Sequence, residues 1–262
     1  VSGTWRKVRV MLSVMFAYMT QYRAELYLWA LASTLPLFSM GAWMHASRAG
    51  ASTLSVVEVG QYFLAVYVVR QLTVVWVVWD FEANLHDGTL AHRLLQPLEP
   101  VWHHIAEHVA ERGARLPFTT LLVGVCWWAL DEVRFVPSVV DVVAFLGVLL
   151  LVFAFRFLVQ YTFSLLAFWT ERAHAVEGMW NLPYLFLSGM LAPLSAYPDA
   201  VMDVVRYTPF PSLIAFPAQV LLGQDVDVGH HLTVLAAWGI PLLVVNRWLW
   251  RRGLARFSAM GA

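Results

Sequence analysis

Lysine is all but missing from this chain: of its 17 basic residues only Lys7 is a lysine, the rest being arginine. A nucleotide-binding P-loop needs a lysine after a glycine-rich turn, and Lys7 lies in TWRKVRV with no such turn, so the chain by itself is no P-loop ATPase. Cysteine is as scarce. Cys126, alone, can close no internal disulfide and no multi-cysteine metal site. There is no G-x-S-x-G, and no glycine pair at GxxxG spacing in the apolar runs. Charge is sparse too. With 13% charged and 60% hydrophobic residues, 262 residues carry too little polar surface to coat a soluble globule. A formal net charge of zero gives no reason to expect a nucleic-acid partner.

What the chain has instead is length in apolar runs. A bilayer core needs about 20 apolar residues in helical form. Such runs lie at 26–44, 56–79, 116–130, 139–170, 178–194 and 231–250, the third being short and expected to begin inside the preceding loop. The expected fold is all-α, a polytopic membrane protein with six transmembrane helices in one domain over 1–262. A cytoplasmic N-terminus puts Arg6, Lys7, Arg9, Arg23, Arg93, Arg112, Arg115, Arg172, Arg247, Arg251, Arg252 and Arg256 inside, against Arg48, Arg134 and Arg206 outside. Both termini are therefore expected in the cytoplasm.

Three segments stand outside this pattern. In residues 1–25, Val8, Leu12, Met15, Met19 and Tyr22 recur on one helical face opposite Arg6, Arg9, Ser13 and Thr20, as expected of a helix lying in the membrane interface. No small-residue cleavage site follows it, so it is expected to be retained. Residues 80–115 form a long inner loop of mixed apolar and charged residues, and Pro97 and Pro100 divide it into short helices. Residues 195–229 are too apolar for a solvated loop, yet Pro198, Pro209, Pro211 and Pro217 break them too often for a span. Short helices re-entering the outer leaflet, as a lid or exit gate, fit that pattern.

Polar residues inside the spans need partners. Arg70 and Arg156 fall near the middle of the second and fourth runs, where an arginine on a lone helix costs about 2.5–3.5 kcal/mol. One reading is a structural network using Glu58, Gln71, Asp141, Gln160 or a partner chain. The other is that they line a translocation path and meet an anionic part of the substrate. The tryptophans sit mostly at span ends, as interfacial anchors do, whereas Phe153, Phe155, Phe157, Tyr161 and Phe163 offer an apolar wall. His104, Glu107 and His108 spell H-x-x-E-H, a three-position pattern that arises readily by chance in a histidine-rich loop.

In its order of parts the chain resembles the permease subunit of bacterial ATP-binding-cassette exporters of the type 2 class. The inner loop carries Gly88, Leu90, Leu94, Leu95, Pro97, Leu98 and Pro100 in HDGTLAHRLLQPLEP, and the outer stretch SGMLAPLSAYP carries Ser188, Gly189, Pro193, Leu194 and Pro198, continuing to Pro209, Phe210, Pro217 and Gly223. The resemblance implies a second permease, identical or paralogous, two cytoplasmic ATPase subunits that hold ATP and magnesium, and no cofactor on this chain. It implies a bacterial inner-membrane location and a non-catalytic role in moving an amphipathic or hydrophobic substrate outward by alternating access. Asp80, Glu82, Asp87, Gly88, Leu90, Arg93 and Leu94 would then couple to the ATPase. Arg70, Gln71, Arg156 and Gln160 would line the path, and Ser188, Gly189, Pro193, Pro198, Pro209 and Phe210 would form the outer gate. An ion-coupled carrier and a membrane-embedded zinc enzyme are the alternatives, distinguished by ion-gradient dependence and chelator sensitivity.

Overall fold

The computed structural model describes residues 2–21, 23–170 and 172–261, with side chains over 9–21, 24–170 and 172–257. Thirteen α-helices and three short 3-10 turns make up its regular structure, with no strand among the described residues. The helices are α1 (Ser2–Gln21), α2 (Arg23–Ala32), α3 (Leu35–Arg48), α4 (Val56–Thr73), α5 (Val77–His86), α6 (Thr89–Leu94), α7 (Pro100–Ala129), α8 (Val139–Ser164), α9 (His174–Leu187), α10 (Asp199–Val205), α11 (Phe210–Leu213), α12 (Ala215–Leu221) and α13 (Val228–Gly261).

Local chemistry sets where the long helices begin. The Glu58 N–H donates to Ser55 Oγ at 3.2 Å while Ser55 N donates to Glu58 Oε2 at 2.8 Å, and Ser138 and Asp141 repeat this capping box at the start of α8. Glu58 and Asp141 are thereby spent on helix starts. Pro100 opens α7 at a position where its missing N–H leaves nothing unpaired. Gly88, at φ +73°, turns the chain between α5 and α6 in a conformation that side chains with a Cβ resist.

Four helical stretches are long and apolar enough to cross a membrane: Ala24–Arg48, Val56–His86, Val139–Phe168 and Val228–Phe257. They coincide with the first, second, fourth and sixth expected runs. The other two runs are helical but shorter, residues 116–129 being the end of α7 and α9 having 14 residues. Much of the expected loop at 80–115 is helix, and α7 passes unbroken through its far boundary, with Pro117 inside the helix.

The helix expected at the N-terminus is present as α1, and its face turns onto α7: Met19 is buried with Ala110 and Ala114, and Met15 packs alongside. Val8 and Tyr22, expected on that face, lie outside the described side chains. The main core gathers α3, α4, α8, α11, α12 and α13 around Phe63, Val66, Phe155, Leu213 and Phe216. A second core holds α5 against α8 and α13. Phe81 there is fully buried, with ring centroids of Tyr161, Phe168 and Trp250 at 5.9, 5.6 and 6.4 Å. Burying such a side chain stabilises by about 1.5–3 kcal/mol, which fixes α5 to the bundle.

The proline-broken segment divides in two. Residues 199–204 of α10 are largely exposed, whereas Phe210–Leu221 packs between α4 and α8. Its apolar character therefore has its cause in core packing. The turn that precedes it is tied from three sides: the Tyr62 hydroxyl donates to the Gly189 carbonyl at 2.8 Å, Ala215 N to the Ser188 carbonyl at 3.0 Å, and Trp43 Nε1 to the Leu191 carbonyl at 3.0 Å. Gly189 has φ +89°, and a Cβ there would stand 2.2 Å from the Tyr62 hydroxyl and 3.0 Å from Ala215 Cβ. Replacing Gly189 with alanine is expected to cost about 2 kcal/mol or more, since backbone strain adds to the overlap, while Gly88→Ala in open space costs only the strain of about 1–2 kcal/mol. Thermal unfolding of the two variants in detergent checks the order; equal midpoints would contradict it.

Candidate functional site

Between α4 and α5 the chain leaves the helix at Val74–Trp76, and this break exposes backbone groups that a buried segment must satisfy. Helix α7 supplies the partners. Arg112 Nε donates to the Leu72 carbonyl at 2.6 Å and its Nη2 to the Val74 carbonyl at 2.9 Å, while the guanidinium carbon lies 3.8 Å from the Phe153 ring centroid. Trp76 N donates to His108 Nε2 at 3.1 Å, and His108 Nδ1 meets the His104 carbonyl at 2.7 Å. An amide only donates and a carbonyl only accepts, so His108 is the neutral tautomer with its proton on Nδ1. Burial pushes its pKa down to about 3. Trp76 Nε1 donates to Glu111 Oε2 at 2.5 Å, and Glu111 pairs with Arg115.

One turn earlier on the same face, His104 is fully buried. Its Nδ1 lies 3.3 Å from Glu107 Oε2 and 3.9 Å from Asp80 Oδ2, and Arg93 of α6 stands 3.4 Å from both Glu107 Oε1 and His104 Nε2. Burial alone would lower the His104 pKa, but the two carboxylates outweigh it and raise it. For Glu107 burial acts upward and is overcome by His104, so its pKa falls. One ligand atom each from Asp80, His104 and Glu107 lie within 4.8 Å of one another. The set fits an ion-pair cluster better than a zinc centre. His108, the second histidine of the sequence pattern, is committed at both ring nitrogens, and the Arg93 guanidinium occupies the flank where a metal-bound histidine needs an acceptor.

Asp80, Glu82 and Arg93 are thus engaged within the chain, Glu82 accepting from His174 N at 3.1 Å at the start of α9. Leu90 is buried and Leu94 half-buried. Only Asp87 and Gly88 among the expected coupling residues are exposed; they form the α5–α6 corner, and at the far end of α6 stands Leu95, an 86% exposed leucine of the inner-loop pattern.

A second polar cluster lies between α4, α8 and α9, near the middle of two stretches apolar enough to span. Arg156 is buried; its Nη1 donates to Thr73 Oγ1 at 3.1 Å and to the Tyr184 hydroxyl at 2.5 Å, and its guanidinium carbon is 4.5 Å from the Tyr184 ring centroid. Arg70, half-buried, approaches the same ring at 5.8 Å. Gln160, one turn beyond Arg156, donates to Glu177 Oε1 at 3.0 Å, and Asn181 donates to the same oxygen at 2.6 Å. Gln71 does not join this group: it is buried and donates to the Ala30 carbonyl at 2.9 Å. Neither Glu58 nor Asp141 meets an arginine of the spans. Thr73, Tyr184 and Glu177 are the partners that sequence reasoning missed, Glu177 because it stands one residue before the apolar run and Tyr184 because it reads as part of one.

At the other end, Ser188, Gly189, Pro193, Pro209 and Phe210 are buried in and behind the tied turn, and Pro198 is exposed at the start of α10. The family described as "ABC-2 family transporter protein" matches residues 50–261, a stretch that includes both polar clusters and the α5–α6 corner. No curated protein matches the chain.

The two histidines titrate with opposite sign. In the unfolded chain His108 takes a proton near its ordinary pKa of 6.5, whereas in the fold it does so only near 3, so stability is lost as pH falls between those values. His104, raised, contributes stability below its unfolded pKa that is lost as pH rises through the folded value. His108→Gln keeps an acceptor for Trp76 and cannot titrate; it is expected to flatten the fall in unfolding temperature between about pH 6.5 and pH 4.5. An unchanged slope in that variant would remove His108 as its source.

Proposed function

The chain belongs to the ABC-2 transporter family, and from that membership we propose that it is the permease of an ATP-driven exporter, with ATP and magnesium held by separate cytoplasmic subunits. A second permease, identical or paralogous, completes the complex. In this reading the C-terminal part of α7 and the short α9 cross the bacterial inner membrane with the four longer stretches, giving six crossings. Both termini, the α5–α6 corner and the arginine-rich end of α13 face the cytoplasm, as the arginine distribution favours.

The observation that carries the proposal is the α5–α6 corner itself. Gly88 sets its turn, Phe81 anchors α5 in the core, Asp87 and Gly88 are exposed at its tip, and His92 and Leu95 are exposed in and just after the last turn of α6. A short rigid helix pair with an exposed leucine is suited to sit in a cleft of an ATPase subunit. Behind it, Asp80 and Arg93 meet His104 and Glu107 on α7, and the next turn of α7 grips the α4–α5 break through His108 and Arg112. Displacement of the corner is thereby carried to α4, which bears Arg70 and contacts α8 with Arg156. An amphipathic or hydrophobic substrate passes along this α4–α8–α9 side, and the segment 195–229 with the turn at Ser188–Pro193 gates the outer end.

Purification from native membranes in mild detergent is expected to bring down a stoichiometric ATPase subunit, with vanadate-sensitive ATP hydrolysis. Reproducible recovery of the intact chain without an ATPase would refute the reading. Within the complex, Leu95→Asp is expected to lower substrate-stimulated ATP hydrolysis and transport by about tenfold or more while leaving the chain in the membrane, because a buried unpaired carboxylate replaces an apolar contact. Unchanged coupling in that variant would place the ATPase contact elsewhere.

A further inference from the structure

Where the turn that follows α8 meets the last part of α13, the surface opens into a cavity of about 390 Å³ lined by Leu166, Trp169, Thr170, Trp248, Leu249 and Arg252. Its size lies in the range of small-ligand pockets, about 300–1,000 Å³. The two elements meet closely beside it, because Gly253 presses on the Phe168 ring and leaves no room for a Cβ. Both belong to the ends of stretches long enough to span, Val139–Phe168 and Val228–Phe257. A 30-residue helix is about 45 Å long and outruns a hydrocarbon core of about 30 Å, so the cavity stands where lipid chains give way to head groups. Trp169 and Trp248 are exposed there, as indoles at that depth are.

Charge around the cavity is one-sided. Residues 165–172 and 247–257 carry Arg172, Arg247, Arg251, Arg252 and Arg256 against one acid, Glu171, which lies outside the described residues. Arg247 pairs with Glu99 at 3.4 Å, and no described carboxylate pairs with the other four arginines. Five arginines less these two acids leave an excess of three positive charges. Trp248, Arg252 and Arg256 follow at four-residue spacing and form one stripe of α13, with the Arg252 guanidinium carbon 5.9 Å from the Trp248 ring centroid. Arg251 lies about 100° round the helix from Arg252, on the side away from Leu249. The Thr170 hydroxyl accepts from Arg172 N at 3.3 Å and keeps its own proton to donate.

We propose that this cavity binds an anionic phospholipid. Arg252 meets the phosphate with Arg256 beside it, Thr170 donates to the head group, and the acyl chains cover Leu166, Trp169 and Trp248. A soluble anion would gain nothing from these apolar walls, and a zwitterionic lipid would bring its own cation to the arginines. The site goes beyond the permease reading, which serves only to place it in the cytoplasmic leaflet, and it requires no ATPase.

The full chain, purified in mild detergent with whatever proteins accompany it, is titrated with phosphatidylglycerol and with phosphatidylcholine bearing the same chains and fluorophore. Phosphatidylglycerol is expected to bind at least about tenfold more tightly, and Arg252→Gln is expected to reduce that preference by about fivefold. Arg251→Gln removes the same charge from the adjacent position and is expected to change it by less than about twofold. Equal affinity for the two lipids in the unaltered chain overturns the proposal. So does an equal loss in the two variants, which would mean diffuse attraction without a site. If Arg252→Gln does not fold, Thr170→Asp at an exposed position decides: a lost preference supports the site, and an undiminished one refutes it. Displacement of the probe by glycerol phosphate at similar concentration would overturn the assignment to a lipid. Loss of an accompanying protein from Arg252→Gln, with lipid preference unchanged, would assign the surface to that protein and overturn the proposal likewise. Lipid preference without a copurifying ATPase would remove the exporter reading and leave the site, while an active ATPase complex without that preference would do the reverse.

Discussion

The interaction on which the rest depends is the grip of α7 on the break between α4 and α5. The backbone groups freed there include the carbonyls of Leu72 and Val74 and the N–H of Trp76, three groups that would each cost about 1–3 kcal/mol if left buried and unpaired. Arg112 and His108 satisfy all three from a neighbouring helix. Without that provision a long apolar helix would run straight through, and α5 would not turn its Phe81 into the second core or present the α5–α6 corner at its end. The cost of burying the arginine is offset by carbonyl acceptors and by the Phe153 ring, while the neighbouring carboxylate, Glu111, is held by Trp76 Nε1 and Arg115.

The preference for arginine over lysine finds a physical reason in the same place. A guanidinium presents donors in a fixed planar fork, so a single side chain can reach two carbonyls and still lie flat on an aromatic ring. An ammonium has neither the reach nor the plane. Arg156 repeats the arrangement with Thr73, the Tyr184 hydroxyl and the Tyr184 ring. Both polar clusters thus use cations as structural joints between helices, and Arg70 is the one that lacks the acceptors its counterparts enjoy.

Much of this architecture was legible in advance, and the reasons differ by element. The four long stretches announced themselves because an apolar run of spanning length has few other uses. Gly88 and the two prolines after it marked the corner because their backbone restrictions are local. The core role of Phe210–Leu221 was not legible, since an apolar segment broken by prolines reads alike whether it dips toward lipid or fills a gap between helices. Engagement of Asp80, Glu82 and Arg93 within the chain was hidden for a related cause. Their partners, His104, His174 and Glu107, are distant or ambiguous in sequence, and charged residues on a short helix look exposed until the neighbouring helix is in place. Leu95 was marked by the inner-loop pattern, but its exposure was hidden for the opposite reason, because a leucine is assumed to be inside.

Helix α7 is 30 residues long, about 45 Å from end to end, and Pro117 interrupts its hydrogen-bond ladder roughly 26 Å from the end beside α6. Everything α7 holds at the corner and the break, from His104 to Arg115, lies on one side of that proline. The helix therefore has the anatomy of a hinged arm. A tilt of about 5° at the hinge sweeps the far tip through roughly 2 Å, while the grip at Arg112, close to the pivot, moves by only a fraction of that. Motion at the tip is thereby geared down before it reaches the backbone of α4, trading distance for force at the point where the helix is broken.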